Sequence, residues 1–469
     1  MEQMSALDAS FLAVEDSVTH MHIGVAGIFE GPPPAYQELR AMVAGKLARL
    51  PRYRQVVRFV PLDLARPLWV DDRHFNLDYH LRRTALPAPG GEAELRLLVA
   101  RVMSQQLDRA KPLWEMWIVE GLEGGRWALI SKFHHCMVDG VAGADLLSVL
   151  LDQQRSPRAP AEEAWIPEPS PEGVELVVRA VAMSLQSPYD AMRALPAPAQ
   201  MLRTGERAAR GLLRLGNVIR PSPPCSLNGP VGPHRRWSWA RAQLSDVKVV
   251  RAAFGGTVND VVLACTAGGF RELLISRGES VDRVVRTLVP VSVRSPGEYG
   301  IYNNRVSAMF AELPVGIEDP VARLRAVSAQ MAELKDSHEA VAGEVLSSLT
   351  WFAPPLLLAL AQRLATRLPQ HSVNTVTTNV PGPQQPLYAA GRRMLESFPY
   401  VPLGGHVRIG VAIFSYDGAC AFGVTGDYDA APDIDVLCAG IERSLAELVE
   451  LARPARRRGG ARRKRAAAA

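Results

Sequence analysis

Lys132-Phe133-His134-His135-Cys136-Met137-Val138-Asp139-Gly140 is the stretch on which the reading turns. It follows an apolar, β-rich run, Trp127 to Ile130, and it precedes a helical pattern through Leu146 and Leu150. A strand that ends in two histidines, turns through Asp-Gly and enters a helix places an imidazole at a strand terminus, where clefts are commonly lined. Neutral imidazole titrates near pH 6.5, so such a group can take a proton from a hydroxyl or thiol as it attacks a carbonyl. Asp139, four residues on in a tight loop, is better placed to hold an arginine and fix the loop. Other readings stand beside this one. The histidine pair would also serve as ordinary hydrogen-bonded core residues. A metal site is a weaker rival, because adjacent strand residues point to opposite faces and no His-x-x-x-His or cysteine cluster supplies a third ligand. No G-x-S-x-G elbow, P-loop or Rossmann G-x-G-x-x-G occurs in the chain, so serine hydrolysis, phosphoryl transfer and dinucleotide chemistry lack support.

Working outward, Met116–Val119 and Trp127–Ile130 flank Gly121, Gly124 and Gly125 and predict a hairpin. Leu39, Val43, Leu47 and Leu50 share one helical stripe, and Leu95, Leu98, Val102 and Met103 share another. From Arg155 to about Pro233 the chain becomes proline-rich, with helical patches at Val174–Leu185 and Met201–Leu215. It reads as a crossover between two lobes. Beyond it the pattern predicts a helix near Val258–Leu274 and strands near Arg286–Val293 and Val373–Thr378. A hairpin turning at Asp417-Gly418 and an amphipathic helix carrying Ile434, Leu437, Ile441, Leu445 and Leu448 complete it. The expected division is a lobe over 1–152, a crossover over 153–235, a second lobe over 236–452 and a basic tail over 453–469.

With 469 residues, 48% hydrophobic and 22% charged, the chain can bury a large core and form two or three units. Its formal charge of +5 belongs to the tail: eight basic and no acidic residues follow from Arg453, and without them the value is −3. Five scattered cysteines argue against a disulfide framework and for a reducing compartment. The start of the chain lacks a basic, apolar leader, and the apolar run near Trp351–Ala361 is short and broken by Pro354 and Pro355. The expectation is a cytoplasmic protein, soluble or peripheral.

His134 to Gly140 fits an H-H-x-x-x-D-G motif, and further signatures stand in a fixed order around it. These are Leu7-Asp8-Ala9-Ser10-Phe11-Leu12, Met21-His22-Ile23-Gly24, Pro112-Leu113-Trp114-Glu115 and Leu227-Asn228-Gly229-Pro230. Asn259-Asp260, Val289-Pro290-Val291-Ser292-Val293-Arg294 and Asn379-Val380-Pro381-Gly382-Pro383 follow. In these motifs the chain resembles the bacterial bifunctional wax ester synthase/acyl-CoA:diacylglycerol acyltransferases, up to about Leu451. One position departs, Asn303-Asn304 standing where the family has Gly-Asn.

The resemblance implies an α/β fold of two similar lobes, like the CoA-dependent acyltransferases and condensation domains, with an active-site tunnel between them. It implies His135 as general base, His134 as supporting neighbour, and Asp139 and Gly140 as structural parts of the motif. Asp139 would pair with Arg294. Asn259, Thr378 and Asn379 are candidates to donate to a developing oxyanion or to shape the loop, although Asn259 would equally cap a helix. The implied reaction passes a long-chain acyl group directly from acyl-CoA to diacylglycerol, with no cofactor, metal or covalent acyl-enzyme. Wax ester synthesis from long-chain alcohols, transfer to another hydroxyl or amine acceptor, and non-catalytic binding of lipid or acyl-CoA are the alternatives. An apolar stripe, Leu356, Leu357, Leu360, Leu364 and Leu368, beside Arg363 and Arg367, would rest on a membrane or lipid droplet, or pack as a core helix. The tail would be solvated or touch anionic lipid; nucleic acid is not expected as a partner.

Overall fold

The computed structural model describes residues 1–137, 149–156, 165–171, 173–180, 182–183, 225–292, 306–336 and 373–453. Asp139, Gly140, Arg294, the Leu356–Leu368 stripe, the Met201–Leu215 patch and the tail beyond 453 lie outside them.

Among the described residues, two mixed six-stranded sheets form the framework. In the first, β12 (Tyr388–Ala389), β13 (Arg392–Tyr400), β2 (His22–Phe29), β7 (Trp127–His134), β6 (Trp114–Glu120) and β5 (Leu81–Ala85) lie in that order. β6 and β7 form the expected hairpin, running antiparallel with Trp114 opposite Phe133. β5 and β6 are parallel, so the chain between them must cross over, and it does so through α4 (Glu92–Ser104), whose Leu95, Leu98, Val102 and Met103 are buried. β7 is buried along its whole length, as a central strand covered on both faces should be.

The second sheet runs β10 (Val306–Leu313), β9 (Val285–Ser292), β11 (Thr375–Pro381), β14 (Ile409–Tyr416), β15 (Ala419–Asp427) and β8 (Arg235–Gln243). The β14–β15 hairpin turns at Asp417-Gly418, both with positive φ, as a tight two-residue turn requires. Helices α5 (Leu244–Phe254), α6 (Val258–Ser276), α7 (Pro320–Asp336) and α8 (Ile434–Ala452) accompany this sheet, and their apolar residues join its core. A small third sheet, β1 (Glu2–Gln3), β4 (Leu68–Asp71) and β3 (Gln55–Arg58), flanks the first.

The sheets do not divide the chain at one point. β11 and β14 are parallel neighbours and need a crossover; the segment between them supplies β12 and β13, which pair into the first sheet against β2. Residues 388–400 therefore belong to the first sheet, although the sequence reading placed them in the second lobe. Where the sheets meet, Gly423 lies so close to the Pro399 carbonyl that no β-carbon fits, and the Trp237 indole donates to the same carbonyl at 3.1 Å. Trp237, Trp239, Phe398 and Tyr400 share one cluster with Leu95, Leu98 and Val99 of α4. Arg235 adds a polar tie. Its amide donates to Ser104 Oγ at 3.0 Å, and its guanidinium bonds the Val18 carbonyl.

Candidate active site

The site grows from the end of β7. His134 lies opposite His22 in the ladder with β2, and its amide donates to the Leu113 carbonyl at 2.9 Å. The chain then turns: the Met137 amide donates to the His134 carbonyl at 2.9 Å, and the Cys136 amide to His134 Nδ1 at 3.1 Å. Because Nδ1 accepts that bond, the imidazole hydrogen of His134 sits on Nε2. His134 is buried, 1% exposed, whereas His135 at the apex of the turn is half-buried. The His135 amide donates to the Met21 carbonyl at 2.8 Å, and its ring stacks on Phe11 at 4.0 Å between centroids.

Each signature around the histidines has a local task. Ser5 caps helix α1 (Ala6–Val14) by accepting from the Asp8 amide, and α1 delivers Phe11 to His135. Met21 receives the His135 amide. Leu113 receives the His134 amide, and the Trp114 indole donates to the Tyr53 carbonyl at 2.9 Å. Where the described chain resumes at residue 149, it is held again. Lys46 pairs with Asp152 at 2.6 Å and donates to the Leu150 carbonyl at 2.7 Å, while Asp152 bridges to Tyr388.

Behind the turn lies a polar layer that sequence reasoning missed. Glu15, immediately after α1, has a side chain only 1% exposed. Its Oε2 lies 3.3 Å from His134 Nε2 and 2.6 Å from Arg109, which also donates through Nε at 3.0 Å. Its Oε1 lies 3.4 Å from His22 Nε2 and accepts from the Met21 amide at 3.4 Å. Burial would raise the Glu15 carboxyl, but hydrogen bonding with His134 and His22 outweighs it and holds the group well below the usual carboxylate range. Burial pushes the His22 imidazole down to about 3. Lys132 is fully buried, and its ammonium is lowered by burial to about 8. It donates to the carbonyls of Val102, at 2.8 Å, and Gln105 at the end of α4, where the helix dipole favours a cation. The only signals for Glu15 were an acid between two quoted signatures and an arginine before Pro112, and neither has a diagnostic spacing.

The second sheet supplies the other candidates. Asn379 Nδ2 donates to Asn259 Oδ1 at 3.1 Å, so these two are brought together. The cap of α6 is made by Thr257 and Asp260, which exchange side-chain to backbone bonds, and not by Asn259. Thr377 shares the Asn379 face of β11 and is tied inward to Thr287 at 2.8 Å. Thr378 stands on the opposite face with Val380, and Val380 packs on the cluster that contains Cys136 and Met137. Asn228 of the Leu-Asn-Gly-Pro signature donates to the carbonyls of Val373 and His406 and so pins its own turn to the segments that lead into β11 and β14. Among the described residues no group of three or more His, Cys, Asp or Glu is arranged to hold a metal ion.

Comparison with known proteins places this geometry. The chain matches the wax ester synthase/diacylglycerol acyltransferase catalytic domain over residues 4–262, and the C-terminal domain of the same family over 302–449. A curated relative from Mycobacterium tuberculosis (strain H37Rv), named "Probable diacyglycerol O-acyltransferase tgs1", is 38% identical over 98% of this chain and 99% of its own. The fold is shared with a wax ester synthase/diacylglycerol acyltransferase from Marinobacter aquaeolei VT8, at TM-score 0.67 and 24% identity over 96% of this chain and 99% of that one. It is shared too with the first condensation domain of the calcium-dependent antibiotic synthetase, at TM-score 0.64 and 17% identity over 96% of each chain. A histidine turn set between two such sheets, with more than half the sequence matched by one family's catalytic domain, means that the chain belongs to the wax ester synthase/diacylglycerol acyltransferase family.

Proposed function

We propose that this chain transfers a long-chain acyl group from acyl-CoA to the free hydroxyl of diacylglycerol, with His135 as general base. The observation that carries the reading is the state of the two motif histidines. His134 is enclosed, with Nδ1 accepting the Cys136 amide and Nε2 lying 3.3 Å from the Glu15 carboxylate, whereas His135 is half-buried at the apex of the turn, with its ring face set by Phe11. An imidazole nitrogen of His135 accepts the hydroxyl proton as the oxygen attacks the thioester carbonyl. The tetrahedral adduct collapses with cleavage of the carbon–sulfur bond, and the CoA thiolate takes the proton back from the imidazolium. Atoms balance without a covalent acyl-enzyme.

The negative charge that develops on the thioester oxygen needs a donor, typically worth about 3 kcal/mol. With its carbonyl oxygen accepting from Asn379, Asn259 can donate only through its amide nitrogen, and Thr378 has a hydroxyl on the face of β11 whose Val380 packs on the cluster containing Cys136 and Met137. Asp139 and Arg294 are assigned the loop-fixing ion pair on the motif alone, and Gly140 completes that turn. Peripheral contact with membrane or droplet lipid fits the substrates.

The test is acceptor dependence. Purified protein given palmitoyl-CoA should release CoA only when diolein is added, with palmitoyl-dioleoyl-glycerol as the product. Tight acyl-CoA binding without acceptor-dependent release would favour a carrier, and release with hexadecanol alone would favour wax ester synthesis.

A further inference from the structure

We propose that Glu15 is a positioning residue for the transfer, its buried carboxylate holding the two segments between which the His135 turn is fixed. This rests on His135 being the base. One contact runs through the preceding side chain: Glu15 Oε2 lies 3.3 Å from His134 Nε2, and the other nitrogen of that ring accepts the amide of Cys136. The second runs through the backbone: Glu15 Oε1 accepts from the Met21 amide, and the Met21 carbonyl accepts from the His135 amide at 2.8 Å. The residues before and after His135, and the peptide that receives its amide, are thus oriented by one side chain. Glu15 also ends the helix that brings Phe11 onto the His135 ring.

The carboxylate is itself fixed. Asp16 Oδ1 accepts from the Val18 and Thr19 amides and closes the turn that follows Glu15. Arg109 grips Oε2 through two nitrogens, and such a pairing is what makes a buried anion tolerable. Among the described residues, the charged and titratable groups facing it are Arg109 from the loop before Pro112, His20 and His22 from β2 and its approach, His134 and Lys132 from β7, and Cys136 in the turn. Arg235 faces the same layer from β8. A carboxylate placed there only for architecture would affect folding and leave turnover per folded molecule untouched. One that positions the base would affect kcat and spare KM.

The experiment compares kcat and KM for palmitoyl-CoA, with diolein as acceptor, in the full chain and in Glu15→Gln, His134→Ala, their double variant and His135→Ala, each checked for fold by near-UV circular dichroism. Glu15→Gln should keep KM within about twofold and lose about tenfold or more in kcat, since small displacements of a catalytic group are costly. The double variant should lie within about twofold of the slower single variant, because the two residues act as one unit. Wild-type kcat in folded Glu15→Gln, or losses that multiply in the double variant, would overturn the proposal. If Glu15→Gln does not fold, Glu15→Asp keeps the charge for Arg109 but retracts it from His134; lowered kcat at unchanged KM supports positioning, and wild-type kcat overturns it. Wild-type turnover in His135→Ala would remove the base itself, whatever the Glu15 variants do.

Discussion

His80 and His22 are two imidazoles that the fold keeps uncharged. His80 is 1% exposed, stacks on Trp114 at 4.5 Å and donates from Nδ1 to the Trp114 carbonyl at 2.8 Å. Burial lowers it to about 4, the backbone bond offsetting only part of that, and it lowers His22 to about 3. In the unfolded chain both titrate near 6.5, so between pH 6.5 and 4 the unfolded state binds protons that the folded state refuses. Stability is therefore present above the unfolded value and is lost as pH falls. Each imidazole should contribute a loss of about 2 kcal/mol between pH 7 and pH 5. Urea unfolding at the two pH values should show the midpoint dropping with acid, and His80→Gln should make the drop shallower; a midpoint independent of pH would contradict the burial of both rings. Residue types at this scale were legible in part. His134, His135, Asn259 and Asn379 drew notice because they sit in motifs. Glu15 did not, because a carboxylate whose partners lie on other strands leaves no periodic trace in its own neighbourhood.

At the scale of elements, local pattern carried the reading wherever one element settles its own shape. The β6–β7 hairpin, the Asp417-Gly418 turn and the helices Val258–Ser276 and Ile434–Ala452 all have apolar spacing or turn residues that work locally. β13 has neither. Phe398, Pro399, Tyr400 and Val401 are buried in succession because both faces are covered where the sheets meet, so alternation is lost, and Pro399 argues against a strand. Gly24 shows how close the elements lie. A β-carbon there would strike the end of Met103 on α4 and stand 2.5 Å from the Ser131 carbonyl of β7, a backbone atom that cannot swing away. Gly24→Ala should therefore cost about 1–3 kcal/mol by forcing β2 from its neighbours. Denaturant unfolding checks this, and an unchanged midpoint would mean that the strands are not packed so tightly.

Across the whole molecule the two sheets are interlocked rather than merely adjacent. The first borrows β12 and β13 from the later half of the chain, and α4 from the earlier half packs on Trp237 and Trp239 of β8. Arg241 adds bonds to Glu92 and, at 2.6 Å, to Glu396. Two lobes were legible in the sequence, but the exchange was not, since a sequence carries no mark of which sheet a strand will join; most of the proline-rich crossover read over 153–235 lies outside the described residues. The consequence for chemistry is that the histidine turn and the ends of β11 and α6 are held as one body, with residues of both sheets in the cluster beside the turn. That arrangement is useful only if residue 135 moves the proton. The most direct measurement is the rate of CoA release from palmitoyl-CoA in the presence of diolein, in the wild-type chain and in His135→Ala. His135→Ala should fold, still bind palmitoyl-CoA and lose at least about a hundredfold in rate; a folded variant that releases CoA at the wild-type rate would contradict the role of His135 as the base.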